Sequence, residues 1–237
     1  MASIAARPTR REQRREETIR EIQVLAMQQV AADGPDAVSL NAIARTMAMS
    51  PAAIYRYFDS RDALLADLVV TYYDALADAL QAATGEWEKP VDQLVALARA
   101  TRRWALDNPN PYRLIFHTSS GSGQDLAPER TIPASSRSMD VMLGVLAGVA
   151  STASDGGASG RDNERLDAQL RAWAARSRLP DLPTRVLELG LICWTRLHGV
   201  VSLELGHHLA STGIDPALLY EAEIHMLIRE AAGADPR

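Results

Sequence analysis

The stretch that most restricts how this 237-residue chain can fold runs from Ser39 to Phe58, SLNAIARTMAMSPAAIYRYF. Ser39 is an N-cap type standing ahead of Leu40, Ile43 and Met47, which share one face of a short helix. Ser50 and Pro51 then start a second helix. Proline suits the first helical position, because the N–H it lacks would find no carbonyl there. The spacing predicts a helix from Pro51 to about Tyr57, too short to stand alone and therefore held by its neighbours. Ile54 and Phe58, four apart, form its buried face. Ala52, Ala53, Tyr55, Arg56 and Tyr57 remain on its outer faces. A short helix, a tight turn and a second short helix that opens with small residues is helix-turn-helix geometry.

In such a unit the second helix lies in the major groove of DNA with its N-terminal end toward the bases. Small side chains at Ala52 and Ala53 allow close backbone approach. Free N–H groups at a helix start are natural phosphate ligands, and Tyr55, Arg56 and Tyr57 can reach phosphates or bases. The segment closely resembles the DNA-binding region of the TetR family of transcriptional regulators. The matching residues are Ile43-Ala44, Ser50, Tyr55, Tyr57-Phe58 and Ser60-Arg61-Asp62-Ala63-Leu64-Leu65. The candidate DNA contacts are Arg14, Ser39, Ser50, Pro51, Ala52, Ala53, Tyr55, Arg56, Tyr57 and Arg61. One departure stands in the turn, where the family usually has glycine and this chain has Ala48. A left-handed backbone there costs alanine roughly 1 kcal/mol.

The net charge of −5 argues at first against a polyanionic partner. Its distribution argues otherwise. Residues 1–15 hold five arginines against Glu12 alone, and residues 1–66 hold nine arginines and eight acids, so the excess acid lies in the remainder. A basic arm before a near-neutral module and an acidic body suits a protein that touches DNA with one end, although such arms are also plain solvated tails. The single cysteine, Cys193, excludes an intrachain disulfide and fits a reducing compartment. The N-terminus lacks an apolar stretch of signal-peptide length, and the run from Val141 to Ala150 is about half a membrane span. The expectation is a cytoplasmic protein without a membrane partner.

Along the chain, residues 1–11 read as a disordered arm. A helix from about Arg11 to Ala32 carries the stripe Ile19, Ile22, Ala26 and Val30 and ends at Gly34-Pro35. Asp59-Ser60 caps a long helix to about Thr84, roughly 36 Å from end to end, which could carry movement from one end to the other. Helices are expected over Val91–Leu106, Pro111–His117, Ala134–Thr152, Glu164–Arg176, Thr184–His208 and Ala217–Ala231. Residues 118–133 read as a loop, and Ser151 to Asn163 as low-complexity chain. The helix from Thr184 is apolar on more than one side, so it needs cover on both flanks. A second copy of the chain is the economical cover, and a two-fold dimer would present two recognition helices to a palindromic site. The run Trp194-Thr195-Arg196-Leu197-His198-Gly199 resembles the tryptophan–histidine–glycine segment of one class of TetR-family regulatory domains.

Other chemistry is thinly signalled. Glu204/His208 and Glu221/His225 have helical i, i+4 spacing, but neither HExxH nor paired CxxC elements occur, so no metal is expected. GxSxG, GxxxxGK[ST] and GxGxxG are missing, so acyl-hydrolase, P-loop and dinucleotide readings lack their marks, and no cofactor or catalytic residue is assigned. Cys193, between Ile192 and Trp194, reads as packing. Trp104, Tyr112, Phe116, Met139, Met142, Trp173 and Trp194 are core residues or the lining of an apolar pocket, with His198 as either a core histidine or a polar group in that pocket.

The expected fold is all-α. A helix-turn-helix domain occupies residues 1–60 and a helical ligand-binding and dimerisation domain 61–237. The expected function is that of a ligand-responsive homodimeric transcriptional regulator, a repressor by the resemblance, acting on a palindromic operator with a small apolar effector of unknown identity. The alternative is an all-helical small-molecule carrier or enzyme with a vestigial helix-turn-helix.

Overall fold

The computed structural model describes residues 9–117, 126–152, 164–175 and 181–233. Ten α-helices and two single 3-10 turns make up its regular structure, and no strand occurs among the described residues. The chain divides into two compact units, Met1–Tyr72 with Asn110–Thr131, and Tyr73–Pro109 with Ile132–Arg237.

The first unit is built on α1 (Arg10–Asp33), α2 (Leu40–Thr46), α3 (Pro51–Ile54) and the start of α4 (Arg61–Gly85). α1 begins one residue before the expected start because Thr9 and Glu12 form a capping box. The Thr9 hydroxyl accepts the Glu12 N–H, and the Glu12 carboxylate accepts the Thr9 N–H at 2.7 Å. These bonds hold the Glu12 carboxyl below its ordinary value. Gly34, at φ +84°, stops the helix. The Ser39 hydroxyl caps α2 by accepting the Ala42 N–H, while the Ser39 N–H is taken by Gln29 of α1 at 2.8 Å.

Ile22, Ala26 and Met27 of α1 meet Leu40, Ile43 and Ala44 of α2, Ile54, Phe58, and Leu64, Leu65 and Leu68 of α4 in one apolar core. Leu114, from α6 (Pro109–His117), joins the same core. The first unit is therefore larger than residues 1–60. It takes in the first half of α4 and a segment that returns much later in the chain, because the core left open by α1 and two short helices needs both.

The second unit holds α5 (Pro90–Asp107), most of α7 (Pro128–Thr152), α8 (Glu164–Ala174), α9 (Thr184–Leu205) and α10 (Pro216–Ala231). α9 packs against α5, α8 and α10, burying Leu187, Leu189, Cys193, Leu197 and Val201. Burial pushes the Cys193 thiol up to about 12. α9 is long and apolar enough to cross a membrane by length and composition, with mean hydropathy 1.3, but here it is a core helix. Gly190 lets it approach α7 closely, since a Cβ there would stand 2.5 Å from Leu143 Cδ2. Arg102 forks onto Glu204 at 2.6 and 2.8 Å, Arg99 onto Glu221 at 2.9 Å, and the Tyr220 hydroxyl donates to the buried Ala98 carbonyl at 2.7 Å. Glu204 and Glu221, which share helical spacing with histidines, are thus engaged by arginines. Asp215 caps α10 by accepting the Ala217 N–H at 2.8 Å.

Two later boundaries differ from expectation by three residues or more. Residues 128–133 are helical rather than loop. Pro128 occupies the first helical position, and the exposed Pro133 lies early enough that only one helical bond, to the Glu129 carbonyl, is forgone. α9 ends at Leu205 rather than His208. The His208 N–H turns back to the Leu203 carbonyl and the His207 N–H to Glu204, with His207 at φ +58°. This is a Schellman stop. The stretch expected to be low-complexity, 151–163, lies outside the described residues from 153 onward.

Candidate nucleic-acid interface

The turn between α2 and α3 follows from one backbone device. The Met49 N–H donates to the Ala44 carbonyl at 2.8 Å and the Ala48 N–H to Arg45 at 3.1 Å, with Ala48 at φ +52°. This is again the Schellman pattern, with alanine where glycine is usual. It reverses the chain so that Ser50 enters α3 in extended conformation. The Ser50 carbonyl accepts the Ala53 N–H at 2.9 Å, while its hydroxyl makes no capping bond.

α3 is a single turn, Pro51–Ile54, shorter than the expected helix to Tyr57. Residues 55–57 continue as a turn in which Arg56 bonds to the Ala53 carbonyl at 3.3 Å and Tyr57 to Ile54 at 2.9 Å. These bonds reach back three residues, which tightens a helix end where four-residue bonds have run out. Ile54 is wholly buried and Phe58 is 7 % exposed, so the pair anchors the turn in the core. Ser50, Pro51, Ala52, Tyr55 and Arg56 are exposed, and Ala53 and Tyr57 half-buried. Seven of the ten candidate DNA contacts therefore lie together on and beside α3.

The other three sit apart from it. Arg14 is exposed on α1. Ser39 is half-buried, with its hydroxyl and N–H both engaged at the start of α2. Arg61 donates to the Pro35 carbonyl at 2.9 Å and to Asp36 at 2.7 Å, and also reaches Asp62. Those bonds fasten the start of α4 to the turn after α1. Arg15, absent from the candidate set, sits against the recognition turn. Its guanidinium carbon is 5.0 Å from the Tyr57 ring centroid, and its Nη1 donates to the Arg56 carbonyl at 3.3 Å. Sequence spacing could not single it out among five neighbouring arginines.

The candidate pocket residues do not gather in one unit. Tyr112 and Phe116 belong to the first, their rings 4.9 Å apart, with Tyr112 almost wholly buried. Trp104 and Met142 are buried in the second unit, and Met139 and Trp173 are half-buried there. Trp194 is 39 % exposed on α9, edge-on to the half-buried His198 at 5.4 Å.

Comparison with known proteins gives a consistent answer. Residues 22–68 match the family described as "Bacterial regulatory proteins, tetR family", and residues 94–227 match "Tetracyclin repressor-like, C-terminal domain". The chain is similar to the HTH-type transcriptional regulator Rv1816 of Mycobacterium tuberculosis, 28 % identical over 225 residues, covering 92 % of this chain and 94 % of the relative. Among solved structures it is similar to SCO4313, classed as a regulatory protein, at 37 % identity and TM-score 0.74, covering 92 % of this chain and 98 % of the other. A tetR-family regulatory protein from Rhodococcus RHA1, at 18 % identity and TM-score 0.60, shares the fold over 92 % of this chain and 99 % of its own. The second match alone spans more than half of the sequence, and with the exposed turn of α3 in place the chain belongs to the TetR family of bacterial transcriptional regulators.

Proposed function

We propose that this regulator is a homodimeric, ligand-responsive repressor that reads a palindromic operator with the α3 turn of each protomer. The observation that carries the reading is the display of Ser50, Pro51, Ala52, Tyr55 and Arg56 on the surface over the buried anchors Ile54 and Phe58. Ala52 and Ala53 admit close approach to the duplex, Tyr55 and Arg56 reach bases or phosphates, and Arg14 adds a phosphate contact from α1.

Dimerisation is supported by what α9 and α10 leave uncovered. Trp194 and Leu203 are 39 % and 42 % exposed on α9, and Leu218 and Met226 are 70 % and 36 % exposed on α10. Gly199 is exposed on α9 one turn before Leu203, and a Cβ placed on it would meet no described atom within 4 Å. Apolar side chains left exposed on two packed helices, Leu203 beside Gly199 on one and Leu218 and Met226 on the other, suit an interaction face. The tryptophan–histidine–glycine segment, with Trp194, His198 and Gly199, then serves the partner contact.

The effector reading rests on Trp104, Met139, Met142 and Trp173 of the second unit, side chains suited to a small apolar ligand. Such a ligand releases DNA only if it binds the released form more tightly, and a ~100-fold preference is worth about 2.7 kcal/mol. The direction of control, repression, follows the family resemblance. The test is binding to DNA upstream of the chain's own gene, titrated across salt. Phosphate contact predicts affinity falling steeply as salt rises. Salt-insensitive or absent binding to any promoter DNA would favour a carrier or enzyme instead.

A further inference from the structure

Arg15, exposed in the first turns of α1, is directed onto the recognition turn. α3 is one turn long and cannot hold its own shape. Its last carbonyls, those of Ala53 and Ile54, take the N–H groups of Arg56, Tyr57 and Phe58, so the Arg56 carbonyl beyond them needs a donor from elsewhere in the fold or from water. Arg15 supplies that donor to the Arg56 carbonyl, 41 positions along the chain, and places its guanidinium carbon 5.0 Å from the centre of the Tyr57 ring. At the other end of α1, Gln29 accepts the Ser39 N–H where α2 begins. In between, Gln23 donates to Asp67 and Thr71 of α4. α1 thus grips the start of α2, the body of α4 and the end of the recognition turn with three separate polar side chains.

We infer that Arg15 is a positioning residue, fixing the angle of the α3 turn through the Arg56 carbonyl and the Tyr57 ring instead of neutralising a phosphate. This rests on the DNA-binding reading above. The two cation contacts are individually modest, because the site is exposed. Their loss should loosen the turn without unfolding the unit, whose apolar core Arg15 does not enter.

The experiment uses the full chain and two duplexes, one selected by the parent protein from a random-sequence pool and one unselected duplex of equal length. Arg15→Lys keeps the charge but loses the Nη1 donor and the broad face of the guanidinium. Arg15→Met removes the charge and keeps most of the stem. Positioning predicts that both variants lose about three- to tenfold on the selected duplex. Arg15→Lys should keep parental affinity on the unselected one, and both should keep the parental slope of log affinity against log salt. In a Tyr57→Leu background the further loss caused by Arg15→Met should shrink to less than twofold. A phosphate contact predicts the reverse: Arg15→Lys binds like the parent, and Arg15→Met loses about 0.9 from the salt slope. That result overturns the inference, as do two variants that both bind like the parent. A melting point lowered by several degrees, with unaltered selectivity in the folded fraction, would make Arg15 a support of the fold only and overturn it too. If the parent itself selects no duplex, the DNA-binding reading fails, and the inference falls with it for that separate reason.

Discussion

Replacing Ala48 by glycine should stabilise the protein, although it deletes a methyl group and raises chain entropy. Ala48 is held at φ +52° at the turn between α2 and α3. The two bonds that close the turn, Met49 to Ala44 and Ala48 to Arg45, need that left-handed residue. An L side chain in this region costs about 1–2 kcal/mol, because Cβ crowds the following carbonyl. Glycine removes that cost, and it gives back about 0.4–1 kcal/mol through the larger entropy of its unfolded chain. The exposed methyl group of Ala48 contributes little burial to offset either amount. The net expectation is stabilisation by about 0.5–1 kcal/mol, or about 1–4 °C in melting temperature for a chain of this size. Calorimetry on Ala48→Gly reads it directly, and slower hydrogen exchange at the Met49 amide would place the gain in this turn. Ala75 is the control. It is exposed in the middle of α4, where the same substitution should cost about 1 kcal/mol. If Ala48→Gly melts below the parent, as Ala75→Gly does, then Ala48 is not left-handed and the Schellman description of the turn is wrong.

The remaining expectations are briefer. His207→Gly should stabilise in the same sense, since His207 holds the same position after α9 at φ +58°, and a loss on calorimetry would refute it. Tyr55→Ala and Arg56→Ala should each weaken binding to selected DNA by about 10-fold or more, in line with 1–3 kcal/mol per specific contact, without shifting sedimentation; parental affinity would remove α3 from the interface. Gly199→Leu should convert dimer to monomer in sedimentation with little loss of melting temperature, and a dimer that persists would refute the α9 contact. Cys193 should resist thiol reagents at pH 8 and react fully in denaturant, because burial pushes its thiol up to about 12; rapid native labelling would contradict its burial. Glu221, held below its ordinary 4.5 chiefly by the hydrogen bonds from Arg99, adds stability that is present above that value and is lost as pH falls through its lower folded value. Glu221→Gln should therefore flatten the acid limb of the stability curve between about pH 5 and 3, and an unchanged limb would show that the pair contributes nothing.

The elements that were legible in the sequence are those whose causes are local. Ser39, Gly34 and Asp215 act as caps within a turn of the chain, and the Ile22, Ala26, Ile43, Ile54 and Phe58 positions repeat at helical spacing, so the recognition unit could be drawn before any coordinates. Thr9-x-x-Glu12 has the spacing of a capping box, and it starts the helix one residue before the point the run of arginines suggests. What could not be read depends on distant partners. Leu114 completes the first core from far along the chain. Arg61 follows the helix-turn-helix motif closely enough to look like a phosphate ligand, but the Pro35 carbonyl and Asp36 take its guanidinium. Arg15 and Arg14 are chemically identical neighbours, and only the fold turns one onto Tyr57. Tyr112 and Trp104 both look like pocket residues by type, and their assignment to separate units is a property of topology.

α9 shows the same division within one helix, through its two internal glycines. Gly190 and Gly199 are nine residues apart, which at about 100° per residue is roughly two and a half turns, so they point to opposite sides. Each costs about 1 kcal/mol relative to alanine in a helix interior, and each therefore needs a reason. The reason for Gly190 is visible inside the chain, where Leu143 of α7 occupies the space a Cβ would need. Gly199 has no such neighbour among the described residues. It is exposed on the side of α9 that also exposes Leu203, one turn further along. The Leu143 side chain explains Gly190, and the open space beside Gly199 would admit a neighbour from outside the chain, in keeping with the proposed dimer. A second copy of α9 crossing there would take the space beside Gly199 as α7 takes the space beside Gly190. This accounts for a helix that is apolar on more than one side in a protein whose own helices cover only part of it.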